Sequence, residues 1–139
     1  MSEELQTLID ENLDELFANH DFNFIRSASI SNGSLSEYHH QHLILKVLLE
    51  GGQFQILVGS TSSPRDLWPI PLLLDTLQPL DKSRTLSPPK EQAQDLLSIW
   101  DQLLPLLSPE QFPGTRQKVL HQIRTKSEKL FNFSDLHAF

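Results

Sequence analysis

The residues best equipped for chemistry stand together at Tyr38-His39-His40-Gln41-His42. Read as one strand, this run sends Tyr38, His40 and His42 to one face and His39 to the other, because side chains alternate along a strand. Two imidazoles at i and i+2 can ligate one metal ion, but a zinc site needs at least a third protein ligand. His20, Asp21 and His121 could supply it, although no spacing in the sequence brings them near. The plain alternative is a solvated strand start whose histidines are merely polar. Six histidines in all also leave room for pH-dependent partner binding, since imidazole titrates near neutrality.

Nucleophile chemistry finds little support. The chain has no cysteine, which removes thiolate nucleophiles, disulfides and Cys-ligated metals together. No G-x-S-x-G, P-loop or G-x-G-x-x-G run is present, and only five glycines occur in the whole chain, so phosphate-cradling loops are not expected. Asp66 and Asp101 lie near tryptophans, a position where a carboxylate more often caps a helix or pairs locally than reacts. The expectation is a non-enzymatic protein with no cofactor, and with His40 and His42 as the only metal candidates.

Charge is distributed unevenly. Glu3, Glu4, Asp10, Glu11, Asp14, Glu15 and Asp21 fall within residues 1–25, which contain no Lys or Arg; removing them from the totals of 18 acids and 11 bases leaves 11 of each, so this segment carries the whole net charge of −7. Nucleic acid and anionic membrane surfaces both reward clustered positive charge and are therefore not the expected partners. Arg116, Lys118, Arg124, Lys126 and Lys129 form a basic counterpart near the C-terminus, against Glu128 alone. Two arrangements follow. The acidic and basic helices can lie side by side and neutralise each other, the default for solvated helix faces. Alternatively the acidic helix faces outward and steers a basic protein partner. Glu4, Glu11, Asp14 and Glu15, with Tyr38, His40 and His42, are then the partner-binding candidates.

The elements that must position these residues follow from periodicity. Leu5, Leu8, Ile9, Leu13, Leu16 and Phe17 form one stripe of a helix over 3–19, with Ser2 as its N-cap. Three strand-like segments come next: Phe22–Ser31, a long middle segment ending at Glu50, and Gln53–Ser60. Asn32-Gly33 and Gly51-Gly52 supply two-residue hairpin turns. The second turn pairs Leu49 with Phe54, Val47 with Ile56 and Leu45 with Val58, all on one face, as a half-buried antiparallel sheet requires. The first pairs Ile30 with Leu35 but sets Arg26 against His39, which predicts a bulge in the middle strand. The same alternation puts Tyr38, His40, His42, Ile44, Leu48 and Leu57 on the side away from the core, a binding or dimer surface unless a helix covers it.

Trp68-Pro69-Ile70-Pro71 leads into a short apolar helix at 72–77. Residues 79–90, rich in proline and serine, read as a mobile loop. Pro88-Pro89 opens a helix over 89–107 with Ala93, Leu96, Leu97, Trp100, Leu103, Leu104 and Leu107 on its stripe, and Pro105 kinks or ends it. Ser108-Pro109-Glu110-Gln111 restarts helix, a last helix spans 115–131, and 132–139 reads as a frayed tail. The fold class is α+β, with an N-terminal helix, a three-stranded antiparallel meander and three to four helices packed on the sheet, in a single domain spanning 1–139. No apolar run exceeds three residues, far short of a membrane span. The acidic opening does not resemble a secretory signal, so the expected setting is a bacterial-type cytoplasm.

The acidic Leu-rich opening, the hairpin LILKVLLEGGQFQILVG, the segment SPRDLWPIPLLLDTL and the closing SPEQFPGTRQKVLHQIRTKSEKLF together resemble small bacterial α+β proteins of the immunity-protein kind. Such proteins are thought to neutralise polymorphic toxins by binding them. The resemblance implies a protein partner and no catalytic residues. A second resemblance is to small acidic secretion chaperones, which share the length, low pI and helix-then-strands opening. On either reading the chain acts as a monomer or homodimer.

Overall fold

The computed structural model describes residues 3–78 and 84–138, with side chains as far as Thr125. The opening stripe folds as two short helices, α1 (Glu3–Asn12) and α2 (Asp14–Asn19), rather than one. Leu13 has a ψ of 11°, which breaks the regular geometry, yet its N–H still reaches the Ile9 carbonyl and its own carbonyl accepts from Phe17. The apolar face survives the break, and Leu5, Ile9, Leu13 and Leu16 are all buried.

The sheet has five strands in the described residues, in the simple order β1-β2-β3-β4-β5: β1 (Asn23–Ile30), β2 (Gly33–His40), β3 (Leu43–Glu50), β4 (Gln53–Ser60) and β5 (Leu67–Pro69). The expected long middle strand is therefore two strands. Gln41 adopts a φ of 52° and turns the chain between His40 and Leu43, which pair with each other. A left-handed backbone at glutamine is uncommon, so this turn has no signal in residue type. β5 is the other missed strand: only three residues long and ending in proline, it joins β4 through Val58 opposite Trp68.

The hairpin at Gly51-Gly52 forms as its pattern predicts, with Leu49 opposite Phe54, Val47 opposite Ile56 and Leu45 opposite Val58. Both glycines have positive φ, the backbone that the tightest hairpin turns require. The first hairpin differs. Its loop is Ser31-Asn32, so Ile30 pairs with Gly33 instead of with Leu35, and Arg26 meets Glu37 instead of His39. Gly33 serves close approach: a Cβ there would stand 1.7 Å from the Leu49 carbonyl oxygen. The bulge sits in β1 at Ile25, between Phe24 and Arg26, and not in the middle of the sheet.

Three further helices follow: α3 (Ile70–Leu77), α4 (Pro89–Leu106) and α5 (Phe112–Ala138). Pro105 falls in the last turn of α4, where the helix ends one residue later. The Thr115 hydroxyl then donates to the Leu106 carbonyl (2.8 Å), tying the start of α5 to the end of α4. Of the proline-rich stretch 79–90, residues 79–83 lie outside the described residues. Arg84 is fastened to the buried Asp75 on α3 (2.9 Å), the Ser87 carbonyl accepts from Gln92, and α4 begins at Pro89.

One core joins α1, α2, α3, α4 and the face of the sheet bearing Leu43, Leu45, Val47, Leu49, Phe54, Ile56, Val58 and Trp68. Strand alternation, reset by the turn at Gln41, places Tyr38 and His40 on this same face, since they pair with Leu45 and Leu43. The expectation that Tyr38 and His40 share the outer face with Ile44, Leu48 and Leu57 is thereby corrected. The acidic and basic helices also do not find each other as the default arrangement supposes: α1 packs on α4 and β3, while α5 packs on α3.

Candidate functional site

The strongest concentration of unusual side chains lies where α2 hands over to β1. Asn19 ends α2, and His20 caps it in an extended conformation, donating its backbone N–H to the Leu16 carbonyl. The chain then runs through Asp21 and Phe22 into β1. Trp100 arrives from the middle of α4, and Tyr38 and His40 from the end of β2. The His20 imidazole stacks on the Trp100 indole at 4.0 Å with 19° between planes, and His40 lies 5.3 Å from the same indole. Phe22 bridges His40 (5.5 Å) and Phe17 (5.1 Å), and Phe17 continues to Tyr38 (4.9 Å). Tyr38 meets Phe24 across the strand pair at 5.5 Å. These separations are those of edge-to-face and offset aromatic pairs, each contributing roughly 0.5–1.5 kcal/mol beyond area burial.

This aromatic row floors a cleft of about 560 Å³ lined by Phe17, His20, Asp21, Phe22, Asn23, Phe24 and Tyr38. Its rim is apolar and open at Phe24, which is 54% exposed, and the next residue along β1, the bulged Ile25, is 45% exposed. Its electrostatics are one-sided. Asp21 lines the cleft, and burial, with the charge of nearby Asp10 added to it, pushes the Tyr38 hydroxyl above its usual range. Asp10 of α1 and Phe17 of α2 both lie on the side that meets Tyr38, and Asp14 is exposed at the start of α2. No Lys or Arg lines the cleft. Among the described residues, none of the ion pairs engages an acid of α1 or α2.

The histidine run is dispersed by the turn. His40 donates from Nδ1 to the Asp21 carbonyl, which holds its ring in the aromatic row. His42 stands exposed in the turn, off the strand alternation that would have aligned it with His40. His39 points through the opposite face. Among the described residues no group of three or more His, Asp or Glu gathers as a metal ion would require. No described helix is long and apolar enough to cross a membrane.

On the opposite face of the sheet, Glu37 accepts from His39 (2.8 Å) and Arg26 (3.2 Å), with Lys46 at 3.7 Å. Burial alone would raise this carboxyl, but the His39 bond, the Lys46 charge and the Arg26 bond outweigh it and hold Glu37 below its ordinary range. This outer face is charge-balanced, in contrast to the cleft. Elsewhere, Asp66 is tied to the Ser63 hydroxyl (2.6 Å) and to Arg116 (3.0 Å), both lowering its carboxyl against the effect of burial. That is the structural role expected of a carboxylate near Trp68; Asp101 is simply exposed. A second hollow of about 390 Å³ draws its polar lining from Arg84, Thr85, Ser87, Gln92 and Asp95.

Of the partner-binding candidates, Glu4, Glu11, Asp14 and Glu15 are exposed on the helices, His40 sits in the aromatic row behind the cleft and Tyr38 is nearly buried in the cleft wall. Phe17, Phe22, Phe24 and Trp100 escaped prediction as site residues, and His20 entered only as a possible metal ligand. Pairing of β1 with β2 sets Phe24 against Tyr38, and packing of α2 on α4 brings His20 to Trp100. Comparison of the chain with protein-family models, curated proteins and solved structures yields no match.

Proposed function

We propose that this chain is a non-enzymatic protein-binding module that neutralises or escorts a basic protein partner, in the manner of the immunity proteins its layout resembles. One observation carries this reading. Among the described residues three large apolar side chains stay exposed, and two of them, Phe24 and Ile25, are consecutive in the chain, with Phe24 lining an anionic aromatic cleft. A contiguous apolar patch with a charged surround is the usual composition of an interface, where aromatic anchors supply affinity and charge supplies steering. The metal reading loses its support with the separation of His40 from His42 by the turn.

The test is comparative capture. Immobilised wild-type chain and a Phe24→Ser/Ile25→Ser variant are exposed to the same host extract at low and at high salt. Retention of a basic protein by the wild type alone, weakened by salt, supports the reading. Equal retention by both proteins, or none by either, overturns it.

A further inference from the structure

The two edges of the sheet are finished differently, and the difference assigns a binding mode. Three two-residue turns, at 31–32, 41–42 and 51–52, fix which residues of each strand turn their N–H and C=O toward which neighbour, because the pair closing such a turn is hydrogen-bonded. Counting from them, Phe54 and Ile56 of β4 point out of the sheet on one side, and Ser27 and Ser29 of β1 on the other. The β4 side is closed. The Gln92 carboxamide donates to the Phe54 carbonyl (3.0 Å) and accepts from the Ile56 N–H (2.9 Å), and β5 pairs with the strand beyond. The β1 side is open: among the described residues no strand or side chain bonds to it.

We infer that the outer edge of β1 receives an extended, cationic segment of a protein partner as an added strand. This deepens the proposed function and rests on it. An open edge of this kind is a template for main-chain pairing, with side chains at alternate positions reading specificity. The bulge at Ile25 leaves Arg26–Ile30 in regular register, and small side chains at Ser27, Ala28 and Ser29 give an incoming strand close access. Alternate side chains of that strand would face two different surfaces. On the outer face they meet Ala28 and Ile30, which suit apolar groups, and Arg26, which is paired with Glu37 and disfavours a cation on that face. On the helix side they meet exposed Phe24 and the field of Asp10, Asp14 and Asp21, which suits Lys or Arg, since a cation above an aromatic face is also favoured. Charge argues against a second copy as the occupant. A copy brings the same residues 1–25, with seven acids and no base, to the same strand.

The probe is a short fluorescent peptide alternating lysine and valine, titrated against the full chain at low salt and followed by anisotropy and by amide exchange. Three companions accompany it: the same peptide with alternate amides N-methylated, a glutamate–valine peptide, and a Ser29→Pro variant of the protein. Expected are binding of the lysine peptide, slowed exchange at the Ser27 and Ser29 amides, and a loss of about tenfold or more in affinity on N-methylation, on exchange for glutamate and in Ser29→Pro. The N-methylated arm leaves the protein untouched, so a folding defect in Ser29→Pro cannot rescue the inference. Equal binding of the N-methylated peptide, no binding of the lysine peptide, or a dimer in light scattering that protects the β1 amides each overturns strand addition. If, beside such a result, capture by the Phe24–Ile25 surface persists, the protein-binding reading stands while the strand mode falls; if capture also fails, both fall.

Discussion

The carboxamide of Gln92 stands against the backbone of Phe54 where a neighbouring strand would otherwise be, donating from Nε2 to the Phe54 carbonyl at 3.0 Å. Its oxygen accepts from Ile56, its nitrogen also reaches the Ser87 carbonyl, and the side chain is almost wholly buried. Replacing it with Leu leaves those backbone groups buried and unpaired, a cost of about 2 kcal/mol or more. Gln92→Glu keeps the acceptor for Ile56 but turns a charged oxygen on two carbonyls. Its loss should therefore shrink as the pH falls, because a protonated carboxyl can donate to Phe54. Urea denaturation of the three proteins at neutral and mildly acidic pH checks both the size and the sign.

Much of this fold is legible in the sequence, and the parts that are not share a cause. The Gly51-Gly52 hairpin was readable because residue type, loop length and six apolar positions agree on one register. The turn at Gln41-His42 was not, because neither residue favours a left-handed backbone and the apolar run from Leu43 onward could as well extend a strand already under way. That single omission moved Tyr38 and His40 to the wrong face. The cleft was hidden for a different reason. His20 and Trp100 are 80 positions apart in the chain, and their stacking depends on packing between α2 and α4, which periodicity does not specify.

That stack separates stability from recognition. Trp100 is 4% exposed and touches His20, Phe22 and His40. Trp100→Ala should cost about 3–5 kcal/mol by opening a cavity in the core. His20→Ala removes one partner of a partly exposed pair and should cost only about 1 kcal/mol. Thermal melts rank the two, and an equal loss for both would show that His20 supports more than the ring it lies on.

The Glu37 cluster sets a pH dependence whose sign is fixed. Its folded carboxyl lies below the ordinary value of 4.5, so the unfolded chain binds the proton first as the pH falls. The stabilisation is complete above that ordinary value and is lost as the pH drops through the folded one. In Glu37→Gln the wild-type loss of stability from about pH 5 downward should flatten. Chemical denaturation at a series of pH values from neutral to strongly acidic measures this. An unchanged acid limb would place the acid sensitivity elsewhere, with Asp66 the next carboxylate held below its ordinary range.

Arg84 tests whether the segment before α4 is fixed by its charge. Its guanidinium meets the Asp75 carboxylate at 2.9 Å, and the Asp75 side chain is only 2% exposed. Arg84→Met takes the guanidinium away from a buried carboxylate, while the backbone N–H at position 84 still faces it, and should cost about 1–3 kcal/mol. Adding Asp75→Asn should restore part of that loss, because it removes the charge that the guanidinium had balanced. A double-mutant cycle in urea reads the coupling, and strict additivity would mean that the pair holds nothing in place.

The acidic helices give the sharpest division between folding and binding. Asp10, Asp14 and Asp21 engage no ion pair among the described residues, and all three are exposed. Converting them together to Asn removes like-charge repulsion without uncovering any apolar surface, so stability should change by no more than about 0.5 kcal/mol. A partner drawn in by their field should associate more slowly, with its dissociation rate far less affected, because surface charge acts mainly on encounter. The same triple change should flatten the dependence of association rate on salt, since the field that salt screens is gone. Surface plasmon resonance across a salt series, using the captured basic partner, measures all three. Association and dissociation rates both unchanged from wild type would show that these carboxylates do not steer, and would return the acidity of the first segment to solubility alone.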